Sequence, residues 1–259
     1  MKVVILAGGL GTRLSEETTI KPKPMVEIGG KPMLWHIMKI YEHYGFDEFI
    51  ICLGYKGHMI KEYFINYFLY NSDITVELHN NKLDVHYSTA ESFKVTLVDT
   101  GVDTNTAGRI KRIEPYIGQD ETFMLTYGDG VADIDVNDLV AFHKKHGKLA
   151  TLTSIQPPGR FGNIETDDNG SVLHFEEKPQ GDGNWINGGF FVLNRGVFNF
   201  LRDDVDSVQW EKKPLIDIAL QNELAAYKHN GFWKCMDAMR DKIELEELWS
   251  TNKATWKVW

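Results

Sequence analysis

The chain has 259 residues, 42% hydrophobic and 25% charged, with no biased tract, which suits a packed core and argues against disorder. Its formal net charge of −9 at pH 7 disfavours a nucleic-acid or anionic-membrane surface as main partner, yet leaves room for a local positive pocket. The two cysteines, Cys52 and Cys235, lack metal-site spacing and read as buried thiols, no apolar run reaches the ~18 residues that span a bilayer, and the first strand begins too early for a targeting peptide, so a cytoplasmic protein is expected.

"VVILAG" (3–8) reads as a fully buried strand, and "PMLWHIMKIYEHYG" (32–45) as a helix opened by Pro32 and stopped by Gly45. "FIICLGY" (49–55) is the next strand and "HMIKEYFINYFLY" (58–70) the next helix, whose aromatics Tyr63, Phe64, Tyr67 and Phe68 are most simply core. "KVTLVDTG" (94–101) and "TFMLTYGDG" (122–130) are strands with polar ends, separated by "AGRIKRIEPYI" (107–117), which should be helical until Pro115. From about residue 149 short strands dominate, in "ATLTSIQ", "GNIETDDNGSVLHFEEKP" and "INGGFFVLN", before helical periodicity returns over 214–227 and 238–249. Strand–helix alternation with continuous apolar strands predicts an α/β fold with a mostly parallel sheet covered on both faces. One domain over 1–259 is expected, with halves of about 1–148 and 149–259 on one sheet. Ligands of such sheets bind beyond the carboxyl ends of the strands, where Gly8–Arg13, Asp99–Gly101 and Tyr127–Gly130 converge.

The loop after the first strand neither completes G-x-G-x-x-G nor ends in Gly-Lys-Ser/Thr. Gly8, Gly9 and Gly11 can bring backbone N–H groups against phosphate oxygens, with Arg13 as a planar fork on the same anion. A tight strand-to-helix turn with a surface arginine fits equally well. Lys23, held between Pro22 and Pro24, favours the phosphate reading. Asp129 in "TYGDG" is a candidate Mg²⁺ ligand or a turn aspartate, and Asp237 in "KCMDAM" a second carboxylate or a helix N-cap. In "FEEKP", Lys178 could hold a phosphate and Glu177 could accept from sugar hydroxyls, or both are surface charge. Asn187, Gly188 and Gly189 mark close approach to a ligand or a bulge. His36 and His43 lie two helical turns apart, wrong for a compact zinc pair, and read as packing histidines.

In chain order, "LAGGLGTRL", "KPKPMVEIGGKPML", "YGDG", "EKP" and the "MD" before the last helix resemble the sugar-1-phosphate nucleotidylyltransferases over essentially the whole chain. The stretches "LVDTG", "TYGDGVAD", "PPGRFGNIE", "EKPQGDGNWINGGFFVLN" and "GFWKCMDAMRDK" resemble the branch that uses CTP and α-D-glucose 1-phosphate. The resemblance implies a Rossmann-like nucleotidyltransferase fold with a smaller β-rich sugar-binding part, a Mg²⁺ requirement, and a homo-oligomer with a hexamer as one candidate. It also implies a product, CDP-glucose, that feeds deoxysugar synthesis for surface polysaccharide such as the O-antigen of lipopolysaccharide. By the same resemblance Leu6, Ala7, Gly8, Gly9, Gly11, Thr12, Arg13 and Gly128 wrap the nucleotide, with Arg13 and Lys23 on its phosphates. Asp129 and Asp237 hold Mg²⁺, and Lys178 takes the sugar phosphate. Gly162, Glu177, Asn187 and Gly188 line the glucose site, while Thr100, Gly101, Asp103 and Arg109 approach the base.

A phosphate-oxygen nucleophile is already anionic near neutral pH, so no histidine base is required. The chemical need is to offset repulsion between two anions and align them. Cytosine offers a donor beside ring acceptors, which the Thr100 or Gly101 carbonyl and the Arg109 guanidinium would match. The competing readings are a dTTP or UTP enzyme of the same fold, a catalytically silent binding subunit, and a nicotinamide oxidoreductase weakened by the missing third glycine.

Overall fold

The structure, a computed structural model, describes residues 1–157, 163–176, 184–202 and 204–259. In chain order the elements are β1 (Val3–Ala7), α1 (Ser15–Thr18), β2 (Glu27–Ile28), β3 (Lys31–Pro32), α2 (Met33–His43), β4 (Glu48–Leu53), α3 (Gly57–Tyr70), β5 (Ser72–Glu77) and β6 (Lys82–Ser88). There follow β7 (Lys94–Asp99), α4 (Thr106–Arg112), α5 (Glu114–Ile117), β8 (Thr122–Tyr127), β9 (Gly130–Ala132), α6 (Val136–His146) and β10 (Ala150–Ile155). The last are β11 (Asn163–Thr166), β12 (Val172–Glu176), β13 (Ile186–Asn194), α7 (Lys213–Leu220), β14 (Leu224–His229), β15 (Trp233–Cys235) and α8 (Met239–Ser250).

Among the described residues seven strands form the central sheet in the order β14-β10-β13-β8-β1-β4-β7, so strands from both halves share it. It is parallel except for β13, which runs antiparallel to β8 and β10. The apolar runs of β1 and β4 are explained by burial on both faces. Ile5, Ile51 and Leu53 pack with Ile37 and Tyr41 of α2, while the alternate residues Val4, Leu6, Ile50 and Cys52 pack with Ile110 of α4 and Phe123. Because β1, β4, β7 and β8 run together, their carboxyl ends open on one edge, where the site is built.

Some expectations need correction. The helix read over 214–227 stops at Leu220, and 224–229 is the edge strand β14, parallel to β10. Asn222, at φ 58°, turns the chain between them, and the pairing of an edge strand overrides a helical periodicity. The hairpin β5–β6 and helix α6 lay outside the sequence reading, although Asp135 caps α6 through the Asp138 N–H and Gly147 ends it at φ 67°. Phe68 is exposed rather than core, and Cys235 is only half-buried.

His36 is a packing histidine, fully buried on α2 among Trp35, Trp249 and Trp256. Its Nε2–H donates to the Ile28 carbonyl at 2.8 Å, and its Nδ1 accepts from the Trp256 indole at 3.5 Å. Burial, with Lys257 and Lys31 nearby, lowers its pKa from 6.5 to about 4. Between those values the unfolded chain binds a proton that the folded chain refuses, so stability rises with pH across the window. Lowering pH from 7 to 5 should cost about 2 kcal/mol through this residue. Urea unfolding at the two pH values checks this, and His36→Gln should flatten the difference.

Candidate active site

The loop after β1 lies directly on the Arg109 side chain. Arg109 NH1 donates to the Leu53 carbonyl (3.0 Å), the Thr100 hydroxyl (2.8 Å) and the Gly101 carbonyl (2.8 Å), and NH2 donates to the Gly8 carbonyl (2.9 Å). A Cβ on Gly8 would stand 2.1 Å from Arg109 NH1, which explains a glycine there. Gly11 adopts φ 65° and its missing Cβ would meet Thr18 at 2.8 Å, so the turn that presents Thr12 and Arg13 needs glycine.

Two distant segments complete the site. Strand β15 pairs antiparallel with β9, Cys235 opposite Gly130, and the Met236 N–H donates to the Asp129 carbonyl at 2.8 Å. Asp129 and Asp237 thereby reach the same cation: Lys23 Nζ donates to Asp129 Oδ2 at 2.6 Å and to Asp237 Oδ1 at 2.7 Å. Arg13 NH1 donates to Asp237 Oδ2 at 2.8 Å from a largely exposed side chain. Asp237 is not the N-cap of α8. That position is Ala238, and the Asp241 carboxylate accepts from the N–H groups of both Asp237 and Ala238. The Asp237 side chain is thus left for the site.

Burial works against the Lys23 ammonium, but Asp129 and Asp237 outweigh it and hold its pKa above the ordinary lysine value. Burial likewise opposes the Asp237 charge, while Lys23 and Arg13 prevail and lower its pKa. The neighbouring Cys235 thiol is pushed up to about 12 by burial and by Asp237 and Asp129, so it stays protonated and is no nucleophile at neutral pH. Two carboxylates drawn round one positive charge are hard oxygen donors suited to Mg²⁺, which usually adds water and substrate phosphate to such a pair. Among the described residues no group of three or more metal-ligating side chains gathers, at this pair or elsewhere.

Two cavities meet at these residues. The first, about 330 Å³, is lined by the segment Leu6–Gly9 together with Gly11, Thr12, Arg13, Lys23, Arg109, Gly128 and Asp129, all expected from sequence. The second, about 220 Å³, is lined by Asn187 and Gly188 with Asp237, and shares Arg13, Tyr127 and Asp129 with the first. Gly162, Glu177 and Lys178 lie outside the described residues.

Thr100, Gly101 and Asp103 do not line either cavity. Thr100 is fully buried with its hydroxyl on the Leu53 carbonyl at 2.6 Å, its carbonyl accepts from Arg112, and the Gly101 carbonyl accepts from Arg109. The donor and acceptor expected to read the base are therefore bonded to each other. Thr104, Asn105 and Thr106 line the first cavity instead, at the start of α4, where small polar residues ahead of a helix were the available signal. Tyr127, expected at the cleft as a strand end, lines both cavities, whereas Trp233 was missed; the Trp233 indole donates to the Gly188 carbonyl at 2.7 Å and fixes that backbone.

The pattern of the family described as nucleotidyl transferase matches residues 2–250. The glucose-1-phosphate cytidylyltransferase of Salmonella typhi is 58% identical over 259 residues, the whole of both chains. HddC from Yersinia pseudotuberculosis, complexed with GMP-PN, has a TM-score of 0.68 over 96% of this chain and 99% of its own, at 24% identity. UDP-glucose pyrophosphorylase complexed with UDP-glucose has a TM-score of 0.69 over 97% of this chain and 98% of its own, at 17% identity. At these identities the two structures share the fold. With its central sheet, its glycine loop and its full-length likeness to a cytidylyltransferase, the chain belongs to the nucleotidyl transferase family.

Proposed function

We propose that the chain transfers the cytidylyl group of CTP to α-D-glucose 1-phosphate, giving CDP-glucose and pyrophosphate. The observation that carries this reading is the meeting of Arg13, Lys23, Asp129 and Asp237 where two cavities join. The full-length relative of 58% identity supplies the substrate pair.

The larger cavity takes the nucleotide, the smaller the sugar phosphate. A sugar-phosphate oxygen attacks the α-phosphorus, a new P–O bond forms, and the bond to pyrophosphate breaks in line. The nucleophile arrives anionic, so no side chain has to remove a proton. A nucleotide of about −4 and a phosphate of about −2 repel by several kcal/mol at ~4 Å in an effective dielectric of about 20. Arg13 and Lys23 offset that repulsion, and the loop N–H groups orient the phosphates at no cost in reorganisation. Mg²⁺ held by Asp129 and Asp237 would supply further neutralisation of phosphate charge. Lys178 is assigned to the sugar phosphate with Glu177 and Gly162 beside the glucose. Lys178→Ala should raise the KM for glucose 1-phosphate by about 10- to 100-fold, the loss of one charge-assisted hydrogen bond, with little change for CTP.

The deciding experiment is pyrophosphate release from CTP, UTP, dTTP and GTP with glucose 1-phosphate and Mg²⁺. CTP should give the highest kcat/KM; preference for another nucleotide would replace the base assignment. No helix among the described residues is long and apolar enough to cross a membrane. Exposed apolar residues on the β5–β6 hairpin, Ile74, Val76, Leu83 and Val85, support a homo-oligomer. Light scattering would distinguish a hexamer from smaller forms.

A further inference from the structure

The Glu211 carboxylate joins the walls of the two cavities. Glu211 Oε1 accepts from the Tyr127 hydroxyl at 2.6 Å, and Glu211 Oε2 accepts from the Thr106 hydroxyl at 2.9 Å. Thr106 lines the first cavity and opens α4, and its oxygen in turn accepts from the Trp210 N–H at 2.7 Å. Tyr127 ends β8, lines both cavities, and accepts from Asn187 Nδ2 at 3.0 Å. Asn187 Oδ1 accepts from the Gly189 N–H at 2.9 Å, so both ends of its amide are aligned by neighbours.

The directions of these bonds matter. Both hydroxyls donate to Glu211, one to each carboxylate oxygen, so both protons point at it. With its proton committed, the Tyr127 oxygen presents lone pairs to Asn187, and the Asn187 amide is held one way round. One Nδ2–H and one Oδ1 lone pair remain on Asn187 for ligand hydroxyls.

We propose that Glu211 is a positioning residue that couples the two subsites: filling the nucleotide cavity against Thr106 fixes Tyr127, and through it the Asn187 amide that receives the sugar. This rests on the reading of the cavities as nucleotide and sugar-phosphate sites. Each link is an ordinary hydrogen bond, and the chain acts by having a single consistent set of donor directions. Glutamine at 211 breaks that set, because its Nε2 cannot accept from Thr106 while its Oε1 accepts from Tyr127.

Calorimetric titration of the full chain with glucose 1-phosphate, alone and with saturating α,β-methylene CTP and Mg²⁺, reads the coupling. In the unmodified chain the analogue should tighten glucose 1-phosphate about fivefold or more. In Glu211→Gln that factor should fall to about one while each ligand alone still binds, and in Tyr127→Phe it should fall alike, there with some loss of glucose 1-phosphate affinity as well. A merely structural loss would lower the melting temperature and the binding stoichiometry but leave the factor intact. The proposal is overturned if the factor survives in either variant, or if the unmodified chain shows none. Failure of the functional reading looks different, since neither ligand would then bind the unmodified chain.

Discussion

Asp237→Asn should lower turnover with CTP and glucose 1-phosphate on the order of a thousandfold while the protein stays folded. Asparagine keeps the shape of the side chain and removes its charge, so the packing of β15 against β9 is unaffected. Lys23 retains Asp129 at 2.6 Å and remains paired. What is lost is one of two carboxylates that converge from opposite halves of the chain. Asp129→Asn should behave alike, and in both variants the dependence of turnover on Mg²⁺ should shift to higher concentration or disappear. Steady-state pyrophosphate release across a Mg²⁺ series measures this. Wild-type turnover in either variant would defeat the assignment of the pair.

The same substitution has a signature in stability. The Asp237 pKa is held below the ordinary carboxylate value by Lys23 and Arg13 against the effect of burial. A depressed carboxylate contributes stability above its unfolded value and loses it as pH falls through the folded one. Asp237→Asn should therefore remove that contribution at neutral pH and flatten the fall in stability below about pH 4, where the two chains converge. Lys23 has the opposite sign. Its raised pKa gives stability that is full below the ordinary lysine value and is lost as pH climbs through the folded value.

How much of this was visible in the residues alone follows from the range of the forces. The buried parallel strands β1, β4 and β8 announce themselves because both faces are apolar, and α2 because its apolar face repeats at the helical period. Leu224–His229 carries no such mark. It is an edge strand whose identity depends on backbone pairing with β10, and local periodicity favoured a helix there. The loop from Gly8 to Arg13 was recognisable from its glycines, but the partnership of Asp129 with Asp237 hangs on two three-residue strands too short to carry a pattern. Glu211 gave no signal at all, since its role arises only when α4 and β8 are brought together. Arg109 did carry a warning. A cation between Ala107 and Ile110 on a helix otherwise facing the core is either misplaced or internally satisfied, and here it is satisfied by carbonyls.

That arrangement sets the second large effect. Arg109→Ala should destabilise the protein by roughly 3 kcal/mol or more, because the Gly8, Leu53 and Gly101 carbonyls each lose a buried donor. For a chain of this size that corresponds to a fall in melting temperature of roughly 6 °C or more. It should also lower kcat/KM for CTP by about a hundredfold, since the loop proposed to wrap the phosphates loses the group it rests on. Arg109→Lys should rescue little of either, because one ammonium nitrogen cannot reach Gly8 on one side and Gly101 on the other as the planar fork does. Calorimetry and steady-state kinetics on the two variants check both parts. If the residual activity of Arg109→Lys still prefers CTP over UTP, base reading passes to the Thr104–Thr106 segment that lines the same cavity. If the preference vanishes, the guanidinium touches the base through its remaining Nε–H, and the loop keystone reads the base as well.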